Sequence, residues 1–276
     1  MLKLDTHQHF WKYNPVKHAW INQEMAVIQK DFMPLDLQPV LKNADVNGCI
    51  AVQTDEDEGE NEFLLALAKE NDFIKGIIGW VDFLSADISD RLAYYNDFKT
   101  IKGFRYILQD KAQRDLILSK EFIRGIVAMN AYDFVYELLV FPDQLKYAEQ
   151  LVNQFPNQVF VLDHLAKPAI KSGEINQWKT AITALAKHEN VHCKVSGMIT
   201  EADWNNWSYP DFIPYMDVVF SAFGMDRVMF GSDWPVCNLA GNYQKVMRVV
   251  AQQVSNLSLN EQEKFWSSNA IKCYKL

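Results

Sequence analysis

Three short stretches carry side chains that could bind a divalent ion or move a proton. In Asp5-Thr6-His7-Gln8-His9, an extended strand would send Asp5, His7 and His9 to one side, because successive side chains alternate. Two imidazoles converging in that way can grip one cation. Val161-Leu162-Asp163-His164 sets a further histidine at the end of a β-branched run, a place where a hydrogen-bonded packing histidine is the simpler reading unless other ligands lie nearby. Met229-Phe230-Gly231-Ser232-Asp233-Trp234-Pro235 ends a third run on a carboxylate. Gly231 there would permit a close turn and Pro235 would stop the strand. Asp233 could ligate a metal or accept a proton from water; its alternative role is to cap a following helix.

The cationic candidates are Arg105, Lys167 and Lys194. A charge written into a buried strand is costly unless it faces an opening or a partner. Arg105 could hold a substrate carboxylate bidentately, while Lys194, which shares a face with Ser196, could polarise a carbonyl oxygen or pair with Asp233. A structural salt bridge is the alternative for each. His18, His188 and His192 do not end such runs and read as surface or loop residues. The acidic run Asp55-Glu56-Asp57-Glu58 lacks the spacing of a calcium loop and reads as a solvated loop with helix-capping carboxylates. There is no G-x-S-x-G elbow and no cysteine with an evident histidine partner, which argues against a covalent nucleophile.

Eight apolar runs could position these groups: 2–7, 48–53, 75–81, 101–107, 134–140, 159–163, 191–195 and 228–230. Between them lie segments with helical spacing, among them 61–71, 119–129, 143–155, 176–187 and 209–223. Strand and helix alternating in this way predict parallel strands joined by right-handed crossovers. Eight such units favour an α/β chain of the (β/α)₈ or TIM-barrel class over a doubly wound sheet, since no glycine-rich phosphate turn follows the first strand. In such a barrel the strand ends that carry His7, His9, His164 and Asp233 would meet at one mouth. No linker or composition shift divides residues 1–276, so a single domain is expected. The aromatic-rich connection from Phe10 to Leu41 would either cap the mouth or pack beneath the barrel.

The formal charge of −8 over 276 residues, with no basic run, argues against nucleic acid and anionic lipid as partners and favours a small molecule. No apolar stretch approaches the roughly 20 residues that span a bilayer, and Met1 leads almost directly into the first strand, so a cytoplasmic location without a signal peptide is expected. The four scattered cysteines read as reduced thiols, Cys49 and Cys193 as core filler.

With these residues in view, the chain resembles the amidohydrolase superfamily, in the amidohydrolase-2 branch that contains sugar lactonases of the L-fuconolactonase and L-rhamnonolactonase type. The likeness runs through 5–11 (DTHQHFW), 79–82 (GWVD), 103–105 (GFR), 138–142 (LLVFP) with Gln144-Leu145, 162–168 (LDHLAKP), 194–197 (KVSG) with 200–202 (TEA), and 230–235 (FGSDWP). It implies a distorted barrel that hydrolyses a sugar-acid lactone, with His7, His9, His164 and Asp233 as the metal-ligand set, Asp233 as general base, and His164, Arg105 and Lys194 assisting. Trp11, Arg105, Tyr106, Lys167 and Trp234 would bind substrate. The resemblance further implies one divalent ion, zinc first, or none, and no organic cofactor; association into a homo-oligomer stays open. Two other functions remain: metal-dependent decarboxylation of an unsaturated acid, and a barrel that binds a sugar acid without catalysis. Relatives often carry histidine where this chain has Tyr106 and Asp143, and glycine where it has Ala166, which leaves the sugar undecided.

Overall fold

The β-branched and aromatic runs form eight strands: β1 Leu4–Gln8, β2 Gly48–Val52, β3 Ile74–Gly79, β4 Ile101–Ile107, β5 Val135–Leu139, β6 Phe160–Leu162, β7 Val191–Val195 and β8 Val228–Phe230. In the computed structural model, which describes residues 1–276, they make one parallel sheet in the order β1 to β8. The sheet closes through a parallel bridge from Gln8 to Trp234: Asp233 N donates to His7 O at 2.8 Å and His9 N to Trp234 O at 2.7 Å. All eight expected strands are present, and the expected (β/α)₈ barrel is the architecture found. Its distortion is local, with register irregularities between Asp5 and Gln8, Cys49 and Ile50, and Ile77 and Ile78.

A helix follows each strand: α1 Pro34–Asn43, α2 Gly59–Glu70, α3 Ile88–Asn96, α4 Lys120–Met129, α5 Leu145–Gln154, α6 Asn176–Leu185, α7 Ile213–Phe223 and α8 Tyr243–Val254. Two short helices, α9 Leu259–Glu263 and α10 Asn269–Tyr274, end the chain. Their starts follow from capping chemistry. The Ser119 hydroxyl accepts from Phe122 N ahead of α4, Asn242 accepts from Lys245 N ahead of α8, and Pro34 opens α1 where its missing N–H costs nothing. The acidic run behaves as expected: Asp57 accepts from Gly59 N at the start of α2, and its neighbours pair with Lys17, Arg91 and Lys111.

A large apolar core lies between strands and helices. A second, smaller one fills the barrel floor, where Leu4, Ile50, Val52, Ile78, Val135, Val161 and Met229 meet Ala270, Cys273 and Tyr274 of α10. The last helix thus plugs the end of the barrel opposite the mouth. At the mouth, the connection after β1 forms the cap. Trp11 pairs with Phe32 in an antiparallel bridge, its indole donates to Lys30 O at 2.8 Å, and Trp11, Phe32 and Trp234 stack edge to face. Of the two sequence expectations for this segment, capping the mouth is the one realised. All four cysteines are free and buried.

Candidate active site

Barrel closure sets the first two parts of the site, because the hydrogen bonds that join β1 to β8 are made by His7, His9, Asp233 and Trp234 themselves. Asp233 adopts a left-handed backbone, φ 58°, which turns it away from the strand path. Gly231 matters through its missing side chain: a Cβ there would lie 2.7 Å from His7 Cβ and 3.0 Å from Ser196 Cβ. Gly231 was expected to permit a close turn; its own φ is not positive, and the left-handed residue of this turn is Asp233.

His164 is presented by a rarer device. β6 stops at Leu162, one residue short of the expected end, and His164, Leu165, Ala166 and Lys167 all take positive φ between 52° and 57°. Four consecutive non-glycine residues in this region cost about 1–2 kcal/mol each, so the surroundings must hold them. Trp178 donates its indole N–H to Leu165 O at 2.7 Å, and His164 Nδ1 meets Ser196 Oγ at 2.9 Å. Gly197, with φ 65°, leaves the space for the imidazole, since a Cβ would fall 2.6 Å from His164 Nδ1.

These elements bring the four expected ligands together. Asp233 Oδ1 is 3.4 Å from His9 Nε2 and 4.0 Å from His164 Nε2, and the His7 ring centre lies 4.9 Å from that of His9 and 4.2 Å from that of His164. Burial pushes the Asp233 carboxyl up, but His164 and His9 outweigh it and leave it below the usual range. Burial drives His7 well below its ordinary value, Asp163 opposing and Lys194 adding to the shift. It does the same for His164, reinforced by His7 and opposed by Asp233. Near neutral pH this gives an ionised Asp233 beside the neutral imidazoles of His7 and His164. His9 Nδ1 donates to Val52 O at 2.7 Å, which holds the ring with Nε2 turned toward Asp233.

Beneath the histidines lies a charge network that the sequence reading missed. Lys194 is fully buried and bonded to Glu137 Oε1 at 2.6 Å, with Asp163 Oδ1 at 3.3 Å. Tyr274 donates to the same Glu137 oxygen at 2.7 Å. Lys194 therefore pairs with Glu137 and Asp163 and not with Asp233, as in its salt-bridge alternative, and its Nζ also meets His7 Nδ1 at 3.3 Å. Arg105 reaches the cavity, but its NH1 donates to Asp163 Oδ2 at 3.0 Å and to His7 Nε2 at 3.2 Å, and NH2 donates to Gln53 O and Oε1 at 2.5 and 2.8 Å. The fork expected to clamp a carboxylate is already filled by the protein. Asp5 also departs from expectation. Its Oδ1 accepts from Ser232 N and His7 N and it does not join the histidine cluster, because β1 is irregular between Asp5 and Gln8.

A cavity of about 300 Å³ opens over the site, lined by His9, Arg105, His164, Lys167, Glu201 and Asp233 among others. Of the expected substrate-binding residues, Arg105 and Lys167 line it. Trp11 and Trp234 are buried in the cap packing, and Tyr106 stacks against Trp80. Trp20, Met25 and Trp204 supply aromatic and apolar wall instead. Asp143, the other departure from the family pattern, is held by Arg114 at 2.7 Å and does not line the cavity. Glu137 was legible as a carboxylate inside an apolar strand, Val135-Tyr-Glu-Leu-Leu139; Glu201 follows no strand directly, and its signal was the family motif Thr200-Glu-Ala202.

The donors suit a divalent ion. His7, His164 and Asp233 each offer one atom within 4.8 Å of the others, and His9 Nε2 faces Asp233. His7 could join only by giving up the Arg105 contact on its Nε2. A second group, His7, Glu137 and Asp163, already surrounds the Lys194 ammonium, so the protein supplies the cation there.

Comparison with known proteins agrees in family and in fold. Residues 4–276 match the family model described as Amidohydrolase. The L-fucono-1,5-lactonase of Burkholderia multivorans is 36% identical, with 100% of this chain and 96% of that protein covered. A crystal structure of an amidohydrolase from Burkholderia multivorans with bound zinc superposes with a TM-score of 0.95 at 36% identity over 100% of both chains. A 2,6-dihydroxybenzoate decarboxylase complexed with 2,6-dihydroxybenzoate has a TM-score of 0.70 at 12% identity, covering 100% of each chain, a likeness of fold alone.

Proposed function

This chain belongs to the amidohydrolase family, and on that footing we propose that it opens a sugar-acid lactone by direct attack of water, with residues 1–276 acting as one domain. The observation that carries the reading is Asp233, an ionised carboxylate in the cavity with His9 and His164 within 4.0 Å and Arg105 on the same wall. Neither serine nor cysteine lines the cavity, which favours attack by water over a serine or cysteine acyl-enzyme. The free cysteines suit the reducing cytoplasm expected from the sequence.

Asp233 takes a proton from water as the oxygen adds to the lactone carbonyl. His9 and His164 orient that water and the carbonyl, and the fixed positive charge of Arg105 stabilises the oxyanion as it forms. When the tetrahedral centre collapses, the ring C–O bond breaks and the proton held by Asp233 passes to the leaving oxygen, giving a hydroxy acid. Lys194 acts from beneath the site, by neutralising Glu137 and Asp163 and by touching His7 Nδ1. A divalent ion, zinc foremost, would be held by His9, His164 and Asp233 with His7, and would supply Lewis-acid polarisation and a more acidic water.

The test is acid release, followed with a pH indicator, from a panel of sugar-acid 1,4- and 1,5-lactones, with and without chelator, for the wild type and Asp233→Asn. Turnover is expected to fall about 10²–10⁴-fold in the variant, with chelator sensitivity reporting whether the ion is needed. If no lactone opens faster than it does spontaneously, the reading fails and decarboxylation of an unsaturated acid becomes the reaction to measure.

A further inference from the structure

Two charged side chains of the cavity are not consumed by the fold. Lys167 Nζ and Glu201 Oε1 stand 3.4 Å apart, with 20% and 22% of the side chains exposed, and both line the cavity that holds Asp233. Neither makes a hydrogen bond to any third group of the protein, in contrast to Arg105, whose terminal nitrogens are taken up by Asp163, His7 and Gln53. Two ammonium hydrogens and a carboxylate oxygen are thus left to a ligand.

The backbone holds the pair in place from both sides. Lys167 ends the left-handed turn that presents His164. Glu201 follows the one-turn helix Met198–Thr200 that Gly197 opens, and its carbonyl accepts from Lys171 N at 3.0 Å. The indole of Trp204, another wall residue, is tied to Thr200 O at 2.9 Å. The rest of the lining mixes apolar side chains, Trp20, Met25, Val236 and Leu239, with the polar Thr54, Gln109 and Asp110, and Gln109 and Asp110 bond to each other.

We infer that Glu201 and Lys167 read two adjacent hydroxyls on the substrate ring, the carboxylate accepting from one and the ammonium donating to the oxygen of the next. This rests on the lactone reading above and adds to it the feature by which one sugar lactone is chosen over another. A site built to bond a hydroxyl discriminates against an analogue that lacks it, because hydrogen-bonding groups aimed at that hydroxyl then lose their partner in the complex. A purely structural ion pair would show no such selectivity.

The experiment compares kcat/KM for a lactone that the wild type opens with kcat/KM for its analogues lacking one ring hydroxyl each, in the wild type, Glu201→Gln and Lys167→Met. The wild type is expected to lose about 100-fold or more on the analogue missing a recognised hydroxyl. Glu201→Gln should lose a similar factor on the parent and treat parent and that analogue nearly alike, with Lys167→Met doing the same for the neighbouring hydroxyl. Should Glu201→Gln not fold, as judged by circular dichroism, Lys167→Met carries the comparison alone. An equal loss on every lactone, or a wild type indifferent to all the deoxy analogues, overturns the inference and leaves the lactone reading standing; a wild type that opens no lactone overturns both.

Discussion

Asp5 and Asp233 are both buried carboxylates beside strand ends, yet their surroundings send them in opposite directions. Asp233 faces His9 and His164 and is held below the usual range. Asp5 is raised to about 6 by burial, which its hydrogen bonds from Ser232 and His7 only partly offset, and its Oδ2 has no partner. A carboxyl whose folded-state pKa is raised contributes stability at low pH that is lost as pH rises through the folded value. For Asp5 the window runs from about 4 to about 6, and with a shift of roughly two units the charged form costs on the order of 3 kcal/mol above it. Asp5→Asn keeps the acceptor for Ser232 N and removes the charge. It should melt higher than the wild type at pH 8 and match it near pH 3.5; a gap equal at both pH values would mean that Asp5 titrates normally.

The element that determines the site is the turn after β6. Strand ends in a barrel all point toward the mouth, but only a backbone that departs from the strand path can bring His164 and Lys167 in together, and the left-handed turn does so. Gly197 on the neighbouring connection is its counterpart. Gly197→Ala adds both the cost of a side chain at positive φ, about 1 kcal/mol, and a methyl against the His164 ring. Its kcat/KM should fall about 100-fold as the imidazole is displaced. Gly173 is the control, because it also has positive φ, 71°, but a Cβ there meets nothing within 4 Å. Gly173→Ala should lose comparable backbone stability by denaturant unfolding and keep its activity; equal activity in the two variants would sink the argument.

Across the whole molecule, the barrel interior is layered. Apolar side chains and α10 close the floor, a charge network of Lys194, Glu137, Asp163 and Arg105 lies above it, and the histidines and Asp233 sit at the mouth. The network links the C-terminal helix to the site through Tyr274 and Glu137. Burial first, then Asp163, pushes the Glu137 carboxyl up to about 7, Lys194 opposing. Removing the ammonium should therefore be costly. Lys194→Met is expected to lose about 3–5 kcal/mol of stability, and adding Glu137→Gln should restore part of it as a coupling energy. Strictly additive losses in urea unfolding would show that the two side chains do not interact.

The sequence by itself determined the eight strands and the candidate site residues at their ends, because strand periodicity and the positions of His7, His9, His164 and Asp233 are local properties of the chain. It also carried the family, through short motifs spread from Asp5 to Pro235. Only the tertiary structure decided which charges face the cavity. Lys194 and Lys167 look alike as residues near strand ends, but one meets Glu137 across the barrel and is sealed beneath the site, whereas the other meets Glu201 in the open mouth. Those partners lie 57 and 34 positions away in the chain, and such pairings arise from the closure and register of the barrel, which no local pattern encodes.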